Sequence, residues 1–201
     1  MKIIVIYHDG CPTSILGVDP PSSTKKCPTC EAKIDFKDQK WSIKPLPSPI
    51  SETQKETAGC IVVKPSHGNI QSYSFGKDLH IGISDSNGQV YSFWTKGVET
   101  QKTTWGNSVV LIDLRPYFFG NLKNLDNCIE FFIETQKMSL RFHKSKYRET
   151  TWNCFDFVLE FLKFINFRNY KAVDFSEEFT TKKMQGVVKY ITLYNKLLNE
   201  N

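Results

Sequence analysis

The chain has 201 residues, of which 40% are hydrophobic, 13% aromatic and 23% charged, and its formal net charge is +5. That apolar content excludes a wholly disordered chain, and no apolar run reaches the ~18–20 residues a membrane helix needs. Only four of the 26 basic residues are arginine, so base-specific nucleic-acid recognition, which leans on bidentate arginine, is not expected.

The opening residues Met1-Lys2-Ile3-Ile4-Val5-Ile6-Tyr7 read as a strand rather than a secretory signal. The chain is therefore expected to be intracellular and cytoplasmic. Its six cysteines then read as reduced thiols, metal ligands or a nucleophile rather than disulfides. After this strand come Pro12, Gly17, Pro20-Pro21, Ser22-Ser23, the knuckle Cys27-Pro28-Thr29-Cys30, and a Pro/Ser-rich stretch at 45–49. Such punctuation predicts loops around a cysteine knuckle with little regular structure.

From Cys60 the pattern changes. Residues 60–64, 70–75, 79–84, 89–94 and 109–113 are short β-rich runs. Asn87-Gly88 between the third and fourth predicts a hairpin. Pairing centred on that dipeptide sets Thr95 opposite His80, with Phe93 and Tyr91 on the same face. Apolar residues at helical spacing then predict helices from Leu122, over 154–166 and over 180–198. The order predicts an α+β fold, an antiparallel sheet packed on helices, divided into residues 1–59 and a core of 60–201.

Two constellations carry chemistry. Thr151 and Asn153 are good N-cap residues, so Cys154 falls in the first turn of a helix whose polar positions, Asp156, Glu160 and Lys163, form one narrow stripe. Free N–H groups and the helix dipole favour a thiolate there and could hold an oxyanion. Such a nucleophile needs a base. His80 is the one histidine of four on a predicted sheet strand, where its ring is held rigidly. The candidate catalytic residues are Cys154, His80 and the capping Asn153. The bland alternative is that Cys154 is a small core residue. The second constellation, Cys27-Pro28-Thr29-Cys30, has the spacing of half a tetrahedral zinc site. Single ligands could come from Cys11 and Cys60, with His8 a substitute for Cys11. Idle thiols and a redox pair are the alternatives.

Asp78-Leu79-His80-Ile81-Gly82-Ile83, Asn87-Gly88-Gln89-Val90-Tyr91 and Gly97-Val98 resemble the histidine hairpin of circularly permuted papain-like proteins, and Asn153-Cys154-Phe155-Asp156-Phe157 resembles their nucleophile helix. That group includes PPPDE-type isopeptidases and lecithin:retinol acyltransferases, in which histidine also precedes cysteine. The acyltransferases place a second histidine on the partner strand, and this chain has none there. Across nearly its whole length, through Cys27-Pro28-Thr29-Cys30, the His80 and Cys154 segments, Phe179 and Ile191-Thr192-Leu193-Tyr194, the sequence resembles the makorin-2 opposite strand protein family. The resemblance implies either a cysteine hydrolase acting on a protein substrate, with Cys154 as nucleophile and His80 as base, or an inactive papain-like fold serving as an interaction subunit of a larger assembly, such as a ciliary or microtubule-associated one. Structural zinc is the expected cofactor, and no organic cofactor is expected.

Overall fold

A computed structural model describes residues 1–21 and 25–200; Ser22-Ser23 of the Pro/Ser-rich stretch lie outside the described residues. The fold is α+β, with two antiparallel sheets and helices. Its contacts gather into two compact units, Met1–Pro49 together with the chain from Val187, and Ile50–Gly186. The division falls at Ile50 rather than at the expected residue 59. Residues 50–59 are tied into the second unit: Ser51 N–H donates to Ser108 O at 2.9 Å, Gln54 Nε2 donates to Gln101 O at 2.7 Å, and Gln54 Oε1 accepts from Trp105 N–H at 3.0 Å.

The first unit is more regular than its loop-like composition suggests. Strands β1 (Ile3–His8), β2 (Ser14–Val18) and β3 (Trp41–Pro45) form an antiparallel sheet in the order β2-β1-β3. Side chains alternate across a strand. Ile4 and Ile6 therefore share one face of β1 and pack with Cys27, Ile34 and Trp41. His8 is the next position on that face. The Ile3 N–H donates to the Tyr190 hydroxyl at 3.1 Å.

The second unit is built on a five-stranded antiparallel sheet. Its strands are β4 (Cys60–Pro65), β5 (Leu79–Ser84), β6 (Val90–Trp94), β7 (Gly97–Gln101) and β8 (Val109–Asp113), in the order β7-β6-β5-β4-β8. The strand expected over 70–75 is instead a single 3-10 turn, Ile70–Ser72, because the Asn69 side chain accepts from Ser72 N–H and caps it. Helices α1 (Leu122–Ser139) and α2 (Cys154–Phe164) follow, then α3 (Ala172–Phe175), a π-helical turn and α4 (Lys182–Asn199). Helix α2 packs on β5 and β6. On that face Phe93 meets Phe142 edge-on at 5.1 Å, and Phe142 in turn meets Phe157 of α2 at 5.2 Å. The opposite face buries Cys60, Val62 and Val90 against Trp105.

The β5–β6 hairpin differs from expectation by one residue. Asp85 N–H donates to Gln89 O at 2.9 Å, Gly88 N–H donates to Asp85 O at 3.1 Å, and Gly88 has φ +80°. This is a three-residue loop in which a turn ends on a left-handed glycine. The register is then Ile83↔Tyr91 and Ser84↔Val90. Continued along the strands, it sets Trp94, not Thr95, opposite His80. A one-residue shift exchanges the faces, so Ser92 and Trp94 share the face of His80, while Tyr91 and Phe93 do not.

Gly82 lies on the His80 face, and its lack of a side chain is required there. A Cβ would come within 2.5 Å of Val90 Cγ1, 2.9 Å of Tyr91 O and 3.2 Å of Trp105 Cη2. The Gly82→Ala variant should lose about 1–3 kcal/mol of stability, the usual cost of overpacking a dense core. Urea denaturation followed by tryptophan fluorescence measures this loss.

Candidate metal centre and the Cys154 and His80 sites

In the first unit, β1 and a tight turn bring four donors together. Lys26 and Lys33 form an isolated bridge, Cys27 N–H donates to Ala32 O at 2.8 Å, and Glu31 N–H donates back to Cys27 O at 2.9 Å. These bonds close the Cys27–Cys30 segment into a knuckle. The ligand atoms of His8, Cys11, Cys27 and Cys30 all lie within 4.8 Å of one another. His8 Nδ1 stands 3.4 Å from Cys11 Sγ and 3.3 Å from Cys30 Sγ. Its ring stacks on Trp41 with centroids 4.2 Å apart and an interplanar angle of 15°, which fixes its orientation.

The thiols of this cluster differ in acidity. Burial raises the Cys27 thiol, but the N–H groups of Cys30 and Thr29 and the His8 ring outweigh it, bringing the thiol down to about 6. Burial, reinforced by Cys27 and Cys30, pushes Cys11 up to about 11. Crowded thiols resist sharing negative charge, and a bound cation removes that resistance. The donor set can hold a metal ion.

Cys60, expected among these ligands, is not one of them. It lies in the second unit's core, where its thiol donates weakly to Ala58 O at 3.6 Å, and burial followed by the nearby Asp113 pushes it up to about 11. His8 completes the set alongside Cys11 rather than in its place. The usable sequence signal was the alternation of β1, which sets His8 on the face of Ile4 and Ile6.

Cys154 begins α2 as the sequence indicates. Asn153 Oδ1 accepts from Phe155 N–H at 2.8 Å, and Asp156 Oδ2 accepts from Asn153 N–H at 2.8 Å, forming a capping box. The thiol is buried and points at the β5 backbone, with Sγ 4.0 Å from Leu79 O. Burial pushes it up to about 11, against the N–H groups of Ile81, Cys154 and Phe155. A narrow cavity of about 160 Å³ beside it is bordered by Asp78, Leu79, Trp94, Tyr147 and Asn153.

His80 is turned the other way. Its Nε2 lies 3.0 Å from Ser92 Oγ, its ring meets the edge of Trp94 at 4.2 Å and tilts toward Trp105 at 5.4 Å, and Nδ1 is buried without a partner. Across the register Lys64 is its neighbour on β4. Burial, and then the Lys64 ammonium, hold the imidazole down at about 3. The His80 ring lies on the sheet face covered by Trp105, whereas α2, which Cys154 begins, packs on the face that carries Phe93; Trp94 touches the His80 ring and also borders the cavity beside Cys154. The expected Cys154–His80 hydrogen bond is absent among the described residues. Its absence follows from the hairpin register and strand alternation. Ser92, Trp94 and Lys64, which surround His80, were not anticipated because they depend on that register.

Residues 44–197 match the family model described as DUF4796 C-terminal, and the chain belongs to this family. The MKRN2 opposite strand protein of Homo sapiens is 23% identical over 173 residues, covering 84% of this chain and 75% of that protein, in accord with the makorin-2 opposite strand resemblance. No solved structure matches. The four-donor cluster lies outside the family match, while His80 and Cys154 lie inside it.

The low His80 value has a consequence for stability. A histidine near 6.5 when unfolded and near 3 when folded binds more proton in the unfolded state, so its contribution is complete above about 6.5 and is lost as pH falls toward 3. Between pH 6 and 4 the stability of the native chain should fall more steeply than that of His80→Gln. The slopes should differ by up to about 1.4 kcal/mol per pH unit, the value for one proton. Urea titrations of both proteins at matched pH measure the difference.

Proposed function

We propose that this protein is a non-catalytic interaction module of permuted papain-like architecture whose first unit is organised by a structural zinc ion. The observation that carries this reading is the separate partnering of the two groups: the His80 ring lies against Ser92, Trp94 and Trp105, and the Cys154 thiol against the Leu79 carbonyl, with the thiol held up at about 11 and the imidazole held down at about 3. A thiol hydrolase needs the reverse: a thiolate near neutral pH and an imidazole able to take its proton. The papain-like assignment is supported by the helix begun by Cys154 packing on the strand that carries His80, with histidine preceding cysteine in the chain.

The zinc reading is supported by donor chemistry. Three thiolates and an imidazole are a usual tetrahedral zinc set, and Zn–S bonds of about 2.3 Å imply sulfurs roughly 3.8 Å apart. The observed grouping within 4.8 Å needs only a small contraction. Trp41 behind His8 would act as the outer support that orients a metal-bound ring. Elemental analysis of the purified chain should find one zinc per molecule. Cys27→Ser and Cys30→Ser should lose it, and Cys60→Ser should keep it.

The competing reading is a cysteine hydrolase in which Cys154 attacks and His80 relays the proton. The cavity beside Cys154 at the N-terminus of α2 is the observation in its favour. Iodoacetamide labelling across pH 4–9, mapped by mass spectrometry, separates the two. The interaction-module reading requires Cys154 to stay unlabelled until the chain unfolds. Labelling below pH 8 that disappears in His80→Ala would overturn it.

A further inference from the structure

One stretch of the second unit concentrates positive charge beyond what the fold uses. Residues 137–148 carry Lys137, Arg141, Lys144, Lys146 and Arg148 with no aspartate or glutamate, as many charges as the net +5 of the whole chain. Two of them are paired, Lys137 with Glu134 at 2.9 Å and Arg141 with Glu160 at 3.0 Å. The Arg148 guanidinium donates to the carbonyls of Ser145 and Tyr147. Lys144, Lys146, Arg148 and the neighbouring Lys96 meet no carboxylate at ion-pair distance among the described residues.

These charges border two concavities that share one residue. The first, of about 260 Å³, is lined by Lys96, Phe142 and Lys144, among others, and the second, of about 720 Å³, by Lys146, Arg148 and Trp152. Leu140 lines both. It ends α1 in the left-handed conformation, with φ +55°, and is 60% exposed. Glycine is the usual residue at such a position, and a leucine there costs backbone strain. Met138, two residues away, is 78% exposed.

We propose that this surface docks a short acidic peptide segment of a partner protein, with an apolar side chain seated against Leu140 and carboxylates facing Lys144, Lys146 and Arg148. The inference rests on the interaction-module reading and names its partner chemistry. A peptide is favoured over other polyanions by the lining, in which the exposed Leu140 stands in both concavities among Lys96, Lys144, Lys146 and Arg148: a peptide carries aliphatic and carboxylate side chains on one chain, whereas a nucleic acid has no aliphatic side chain to seat there.

The test uses the full chain and a fluorescein-labelled peptide of alternating glutamate and leucine, read by fluorescence anisotropy. Binding should be saturable, should weaken with added salt, and should vanish when glutamine replaces glutamate in the peptide. Charge reversal in Lys144→Glu/Lys146→Glu should weaken it at least about tenfold, as expected for removing a central contact. Leu140→Gly should weaken it similarly while raising the thermal midpoint, because the strain is relieved, so a folding defect cannot explain the loss. Absence of saturable binding, equal binding by either variant, or tighter binding of single-stranded RNA or phosphatidylserine vesicles than of the peptide would overturn the proposal. Cys154 labelling and zinc content are read on the same samples. If both stay as expected while the peptide fails to bind, the docking site falls and the non-catalytic reading stands.

Discussion

The loop Ser86-Asn87-Gly88 is the constraint on which the second unit's chemistry depends. Its left-handed glycine adds a residue to the turn, and that residue sets the register of β5 against β6. Gly88 serves a second purpose, since a Cβ there would lie 2.7 Å from Gln54 O, in the turn that ties residues 50–59 to Trp105. With this register, the face of His80 also carries Gly82, Ser84 and Ser92, and Trp105 lies over bare backbone at Gly82. His80 is thereby committed to a pocket between Trp94, Trp105 and Lys64. Cys154 enters with α2, which packs on the face that carries Phe93.

The first unit solves a different problem. Its sheet is small, and the cluster on the knuckle side of β1 consists of the buried residues Ile4, Ile6, Cys27, Ile34 and Trp41. Domains of this size seldom bury enough apolar surface to be stable without a further link. The four donors gather at the end of the same face of β1 that carries those isoleucines. Cys27 belongs both to the apolar cluster and to the donor set, so a metal there would tie core and knuckle together at one atom.

Much of this was legible in the residues. Asn153 as the cap of α2 follows from short-range hydrogen bonding, and the capping box with Asp156 is local enough to be foreseen. The hairpin, the strand at 109–113 and the three main helices followed from spacing alone. The Cys27–Cys30 half-site was also visible, because its chemistry is encoded within four residues. What failed were inferences that depend on long-range register. Cys60 opens a strand, which makes it a candidate ligand by sequence, yet that strand belongs to another sheet. Asn-Gly suggests a two-residue loop that sets Thr95 opposite His80, whereas the Asp85 and Gln89 backbone bond makes the loop three residues long. The sheet of the first unit was hidden by prolines and glycines that lie mostly at its turns. That the His80 strand precedes the Cys154 helix is legible in the sequence, whereas the neighbours of the His80 ring depend on strand register.

The orientation of the His80 ring is therefore the point on which the account stands, and nuclear Overhauser measurements on the folded chain test it most directly. Ring protons of His80 should show cross-peaks to the Trp94 indole and to the Ser92 β-protons, and none to the β-protons of Cys154. Cross-peaks from His80 to Cys154 would place the two groups in contact and contradict the account.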